Sequence, residues 1–361
     1  MKSRLLHIIF LWTAWLMIPA CSEGVEEVSQ DGAVRVSLGI STRAVEQDGM
    51  KVGDGLPQSL KVWIYGVKDN EAGETLLAYI SQEASEGSPI FNDGTDIYGN
   101  PVEVVERELE QGKEYGKLNF YVVLNDGMAT WPQGTSLDEN MTSEELKAMT
   151  FSLPSGGKAG TDNEQLMYGE MSQDLVSSKT NYEVKIPVER SVAKLELYFS
   201  KNDANKALTV KKVSLESAVT KGYMCPQTTL KDIHGSTTSS IELLTVPVVV
   251  NCTSIEEYGN FSKDEKNFRQ TASSFLLENP VGLGWEVEGE RYPSDDVQEL
   301  QQAYKVTIGY TYDGKDKTES FYLPQVERNV LYKIYVRIRE LDWEVDLFPY
   351  TGVSLEPEFG L

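Results

Sequence analysis

Apolar and polar residues alternate with a period of two along most of this chain. Val34, Val36, Leu38 and Ile40 share one face of a strand, with Arg35, Ser37 and Gly39 on the other. The same rhythm predicts strands at 60–67, 75–80, 181–188, 188–199 and 208–216. It predicts others at 241–250, 273–279, 303–312, 321–324, 326–340 and 341–348. Residues 117–126 are apolar on both faces and read as a central strand. Residues 102–110 fit a strand or a short helix. Thr142-Ser143-Glu144-Glu145 has the form of a capping box, so one short helix follows, with Leu146 and Met149 on one face. Gly, Ser, Asn and Asp fill the connections, and Asp313-Gly314 reads as a hairpin turn. Short strands broken by such turns predict an all-β, sandwich-type fold over an α/β one.

The two ends of the chain differ from this pattern. Lys2 and Arg4 precede an apolar run from Leu5 to Ile18, followed by Pro19, Ala20 and Cys21. The run is too short for a bilayer core of about 30 Å but fits a signal peptide. The Ala20-Cys21 end has the form of a bacterial lipobox, whose Cys is acylated and becomes the N-terminus. Residues 22–32 read as an acidic tether. At the other end, Leu341, Trp343, Val345 and Leu347 alternate with Asp342, Glu344 and Asp346.

Length changes the picture next. A chain of 361 residues suggests two domains. The run Val188-Glu189-Arg190-Ser191-Val192 is echoed by Val326-Glu327-Arg328-Asn329-Val330, each beside a long alternating strand. That places a boundary near Arg190, with sandwiches over 44–190 and 191–340. The net charge of −23 is that of a self-repelling surface, and it disfavours nucleic acid and anionic lipid as partners.

Candidate chemistry is sparse. His7, inside the signal, and His234 are the two histidines, so no HExxH, Ser-His-Asp or Cys/His metal set can be assembled after export. The expectation is a non-enzyme without metal or cofactor. With Cys21 lipidated, Cys225 and Cys252 remain, as one disulfide or as two unpaired thiols. Trp63, Trp131, Trp285 and Trp343 are candidate stacking platforms for a glycan or, for most of them, core residues.

The lipobox at Cys21, Thr42-Arg43-Ala44, YGKLNFYVVLN (115–125), the LMYG turn (166–169), VERSVAKLEL (188–197), SFLLENP (274–280) and VERNVLYKIYVRI (326–338) together resemble the fimbrillin family. These are the lipoprotein subunits of Bacteroidetes type V pili. The resemblance implies two consecutive transthyretin-like β-sandwich domains with one or two short helices. It implies an outer-membrane lipoprotein precursor, carrying palmitate-type acylation at Cys21, that ends in a cell-surface fimbrium. A trypsin-like surface protease would cut between Arg43 and Ala44, so 21–43 would be a propeptide whose strand 34–40 is removed. Assembly with other pilus subunits would follow by donor-strand exchange. Residues 341–361 are the candidate donor, with Leu341, Trp343, Val345 and Leu347 as its apolar side chains, or else the last strand of their own domain plus a tail. The expected role is a shaft or tip subunit supporting adhesion. The alternatives are an anchor or accessory lipoprotein that keeps its lipid, and a glycan-binding surface lipoprotein.

Overall fold

A computed structural model describes residues 33–42, 57–69, 73–85, 90–91, 102–110, 112–153, 165–227, 239–254, 267–279, 303–339 and 343–350, the last stretch and Thr42 as backbone. The signal, the tether, Cys21, Arg43, Ala44, His234, Trp285 and Leu341 lie outside the described residues.

The chain is all-β. The first set of strands is β1 (Val34–Thr42), β2 (Ser59–Val67), β3 (Thr75–Glu83), β4 (Val102–Leu109), β5 (Lys117–Leu124), β6 (Thr150–Phe151), β7 (Met167–Asp174) and β8 (Asn181–Arg190). Seven of them run in the order β3-β2-β5-β7-β8-β1-β4. β7 and β8 are joined only through Met167↔Arg190 and Tyr168↔Glu189, and there the sheet folds over into two layers. Between the layers lie the apolar faces that alternation predicts: Val36 and Leu38, Val62 and Ile64, Phe120 and Val122, Val184 and Ile186.

The second set is β9 (Ala193–Lys201), β10 (Leu208–Ala218), β11 (Gly222–Tyr223), β12 (Ser239–Leu244), β13 (Val248–Val249), β14 (Arg269–Leu276), β15 (Lys305–Tyr312), β16 (Lys315–Tyr322), β17 (Leu331–Ile338) and β18 (Trp343–Tyr350). These form the sheets β12-β10-β15-β16, with β13 also on β10, and β14-β9-β17-β18. Asp313 and Gly314, both at positive φ (50° and 76°), make the two-residue turn between β15 and β16, as their chemistry requires.

Several local expectations need correction. Residues 241–250 are two strands, because Pro247 cannot donate to a ladder and separates β12 from β13. Residues 166–169 are no turn: β7 starts at Met167 and pairs with β5. Of the two readings of 102–110, strand or short helix, the strand holds, paired with β1. The strand expected over 326–340 begins only at Leu331.

The Val-Glu-Arg echo is also not a structural repeat. Its first copy ends β8, whereas its second precedes β17. The two are neighbours instead, with Asn329 N donating to Val192 O at 2.8 Å. The repeat that does exist is one of topology. β1 sits between antiparallel β4 and parallel β8; β9 sits between antiparallel β14 and parallel β17. β2 lies between β3 and β5 as β10 lies between β12 and β15. Register marks the equivalence: Arg35 pairs with Asn181 and Lys194 with Leu331, and the next residue is Tyr in both cases. The Tyr182 hydroxyl accepts from Val176 N at 2.7 Å, and that of Tyr332 accepts from Glu327 N at 2.9 Å.

One excursion covers the outer face of the first set. Lys61 Nζ donates to Asp126 and to Leu137 O, Trp63 Nε1 to Asp138 O at 2.8 Å, and the Tyr65 hydroxyl to Met141 O. Helix α1 (Ser143–Ala148) follows, closed by the expected capping box: Glu145 N donates to Thr142 Oγ1 and Thr142 N to the Glu145 carboxylate. β6 then pairs with β11 of the second set. Trp63, Tyr121, Leu146 and Phe151 therefore share one apolar cluster with Leu195, Leu215 and Ile334.

Candidate functional site

The slot that holds β1 is the candidate site. Its walls are β4 and β8, and its floor is the opposite layer, β2 and β5. β1 is therefore a central strand although it is the first of the described ones. It has eight register partners on β4, from Val34↔Leu109 to Ser41↔Val102, and eight on β8, from Arg35↔Asn181 to Thr42↔Val188. Arg35 N donates to Thr180 O at 2.7 Å. Alternate residues of a strand serve opposite flanks, so odd positions bond β8 and even positions bond β4.

The side chains are equally committed. Val34 and Val36 are 1% exposed, and Leu38 and Ile40 are 0%. Burying four such side chains gains about 6–12 kcal/mol gross. At the entry, a Cβ on Gly112 would lie 2.7 Å from the Val34 Cβ, so only glycine lets the β4–β5 connection close over Val34. On the outer face Arg35 Nε donates to Glu108 Oε2 at 3.1 Å, an exposed pair that contributes little. β1 ends at Thr42, one residue before Arg43.

The candidate donor residues stand elsewhere. The backbone of β18 pairs antiparallel with β17, with Trp343 opposite Ile338, Val345 opposite Val336 and Leu347 opposite Ile334. Among the described residues it is the edge strand of its own sheet.

The possible disulfide is not formed. Cys225 and Cys252 are free thiols. They sit at opposite ends of β9. Ser191 Oγ, just before it, donates to Met224 O, whereas Lys201 N, at its end, donates to Cys252 O. Those ends are roughly 26 Å apart, far beyond the reach of a disulfide. Cys225 instead donates to Leu146 O at 3.3 Å. Burial pushes its thiol up to about 12, against the lowering effect of the hydrogen bond with Tyr168.

Two of the four tryptophans are structural. Trp63 is fully buried, and Trp131 donates to Asp126 O at 3.0 Å and packs near Phe151. Sequence reasoning missed the Arg328 clamp. Arg328 binds the Glu278 carboxylate at 2.7 Å and three carbonyls, those of Tyr223, Met224 and Cys225. No local pattern marks such a contact, since its partners lie 50 and about 100 residues away.

No protein-family model matches the chain, and no curated protein matches it. Solved structures do. The tip fimbrial protein Mfa3 from Porphyromonas gingivalis, with C-terminal truncation, is similar at a TM-score of 0.51 and 12% identity, over 88% of this chain and 99% of that one. A fimbrial assembly protein from Parabacteroides distasonis gives 0.48 and 12%, over 87% and 95%. A chain from Bacteroides eggerthii, provisionally named a cell adhesion protein, gives 0.49 and 15%, over 88% and 95%. At such identities the likeness is one of fold, and in fold this all-β chain is built like the tip fimbrial protein Mfa3.

Proposed function

We propose that this chain is a structural subunit, shaft or tip, of a cell-surface pilus of the fimbrillin type, supporting adhesion. It is exported as a lipoprotein acylated at Cys21 and held at the outer membrane until a trypsin-like protease cuts between Arg43 and Ala44. The cut releases β1. The slot between β4 and β8 then carries an open apolar face and two rows of unpaired backbone groups, which is costly in water and invites a strand from another chain. A neighbour's C-terminal segment, drawn from 341–361, fills it. Head-to-tail filling of this kind does not close on itself, so it builds a filament.

The observation that carries the reading is the position of β1: first among the described strands, central in its sheet, buried along its whole apolar face, and one residue short of an arginine. The fold it shares with a tip fimbrial protein supports the same reading. The glycan-binding alternative loses Trp63 and Trp131 as stacking platforms, because the first is buried and the second is held in the excursion.

The test is the N-terminus of the cell-surface form. Sequencing should return Ala44, and purified precursor treated with a trypsin-like protease should form SDS-resistant, higher-mass species. A lipidated Cys21 on mature surface material would identify an anchor that keeps its lipid. Cut protein that stays monomeric at high concentration would remove the polymerising role.

A further inference from the structure

The two sandwiches close their lateral seams differently. In the first, β3 and β4 are the two ends of the folded sheet, one in each layer. The connection between them places Ile90 and Phe91, 6% and 2% exposed, in the apolar cluster of Ile80 and Val105. In the second, the equivalent edges among the described residues are β12 and β14. Between them lies a cleft of about 520 Å³, lined by 243–246 and 270–273. Leu243, Leu244 and Ala272 are buried and belong to the apolar cluster of Leu215 and Ile334, so the cleft opens onto the core. Arg269 Nη1 donates to Val249 O at 2.8 Å and holds the start of β14 against β13. Both edges are blunted against an added strand. Thr271 is the extra residue of a bulge in β14, and Pro247 lacks the N–H that a ladder beside β12 would use. The seam is therefore shaped to take side chains.

The rim of this cleft is apolar and open to water. Val246 is 70% exposed and Val249 54%. One exposed valine is ordinary; two beside a cleft that reaches the core mark a contact surface. Neither 243–255 nor 270–277 contains an Asp, Glu, Lys or Arg. The chain has a net charge of −23, so most of its surface repels a second copy, and here two copies can meet without opposing like charges. The patch also fits itself. Val246 lines the cleft and projects from it, and a knob beside a hole is self-complementary across a two-fold axis: Val246 of each copy enters the cleft of the other.

We infer that the cleft between β12 and β14, with Val246 and Val249 at its rim, is a self-docking surface on which a second copy of this chain packs side by side with the first. Two valines and a short cleft fall below the roughly 1,000 Å² that a stable complex of free partners buries, so the contact is weak between single subunits. Its filament role rests on the pilus reading: repeated along two neighbouring filaments, the same contact acts multivalently and bundles them. Strand exchange joins subunits end to end, and this surface joins them laterally.

Val246→Lys is the selective test. The residue is exposed, so the variant should keep the circular dichroism and melting of wild type. It changes the net charge from −23 to −22, which weakens general repulsion, so any loss of association comes from the patch. Val176→Lys, at a 57% exposed position of the first set, makes the same charge change elsewhere and is the control. In sedimentation velocity of uncut precursor at rising concentration, wild type and Val176→Lys should form a reversible dimer, and Val246→Lys should weaken it about tenfold or more. Ser273→Trp, which fills the cleft from its other wall, should do the same and decides the matter if Val246→Lys does not fold. Filaments of cut wild type should pellet at low speed as bundles, and those of cut Val246→Lys should stay single at equal length. A wild-type precursor that is monomeric throughout, or a folded Val246→Lys that dimerises and bundles as wild type does, overturns the self-docking surface and leaves strand exchange standing. Precursor dimers sensitive to Val246→Lys, with no filaments after the cut, overturn strand exchange and leave this surface standing.

Discussion

Leu38 has lost all contact with water, between two strands and over the floor formed by β2 and β5. Leu38→Ala should cost the uncut precursor about 2–5 kcal/mol, read from urea unfolding. On the proposed reading the same substitution should leave cut subunits unchanged, because β1 is no longer there; an equal loss in both forms would show that β1 stays bound after cleavage. Cys225 allows a second residue-scale check. Its thiol is raised to about 12 by burial, so the folded state holds a proton that the unfolded chain releases near pH 8.5. The stabilisation is complete below that value and is lost as pH rises towards 12. Between pH 8 and 10.5 wild type should lose more stability than Cys225→Ala. At pH 8 an aromatic disulfide reagent should label Cys252, which is half-buried, well before Cys225.

Among elements, α1 and the Arg328 clamp show what was legible and what was not. The Thr142–Glu145 box is a local pattern, and the helix begins where it says. Thr142→Ala should cost about 1 kcal/mol in a thermal melt. The strands whose faces alternate cleanly, such as β1, β8 and β15, were equally readable, since a half-buried sheet writes its period into the chain. β7 was not. Met167-Tyr168-Gly169 is followed by Glu170, Ser172, Gln173 and Asp174, too polar to read as a strand, and its place is fixed by pairing with β5. The clamp was invisible for a similar reason: Arg328 draws Glu278 and the 223–225 carbonyls from distant sequence. Arg328→Ala strands the nearly buried Glu278 carboxylate and should cost about 3–5 kcal/mol. The slot's neighbours were likewise unreadable, because parallel pairing of β1 with β8 leaves no mark in either strand alone.

At the scale of the molecule, the excursion from Asp126 to Phe151 ties both sets of sheets into one apolar cluster. Calorimetry of the precursor should therefore give a single cooperative transition; two well-separated peaks would mean that the α1 and β6–β11 contacts do not couple the halves. The pairing of β1 with β8 has a different consequence. The two strands are far apart in the chain, so β1 leaves the ribosome long before its parallel partner and can dock only after most of the first set has formed. Every new chain thus passes through a stage with its slot empty. On the proposed reading, tethering keeps a neighbour out at that stage. Attached to its own chain, β1 competes at an effective concentration of order mM, far above that of other subunits in a dilute compartment. On that reading cleavage after Arg43 cancels the advantage, and β1, no longer tethered, then leaves the slot. The proposed cut would thus work as a change of local concentration, and polymerisation would depend on how many subunits are near one another when it happens.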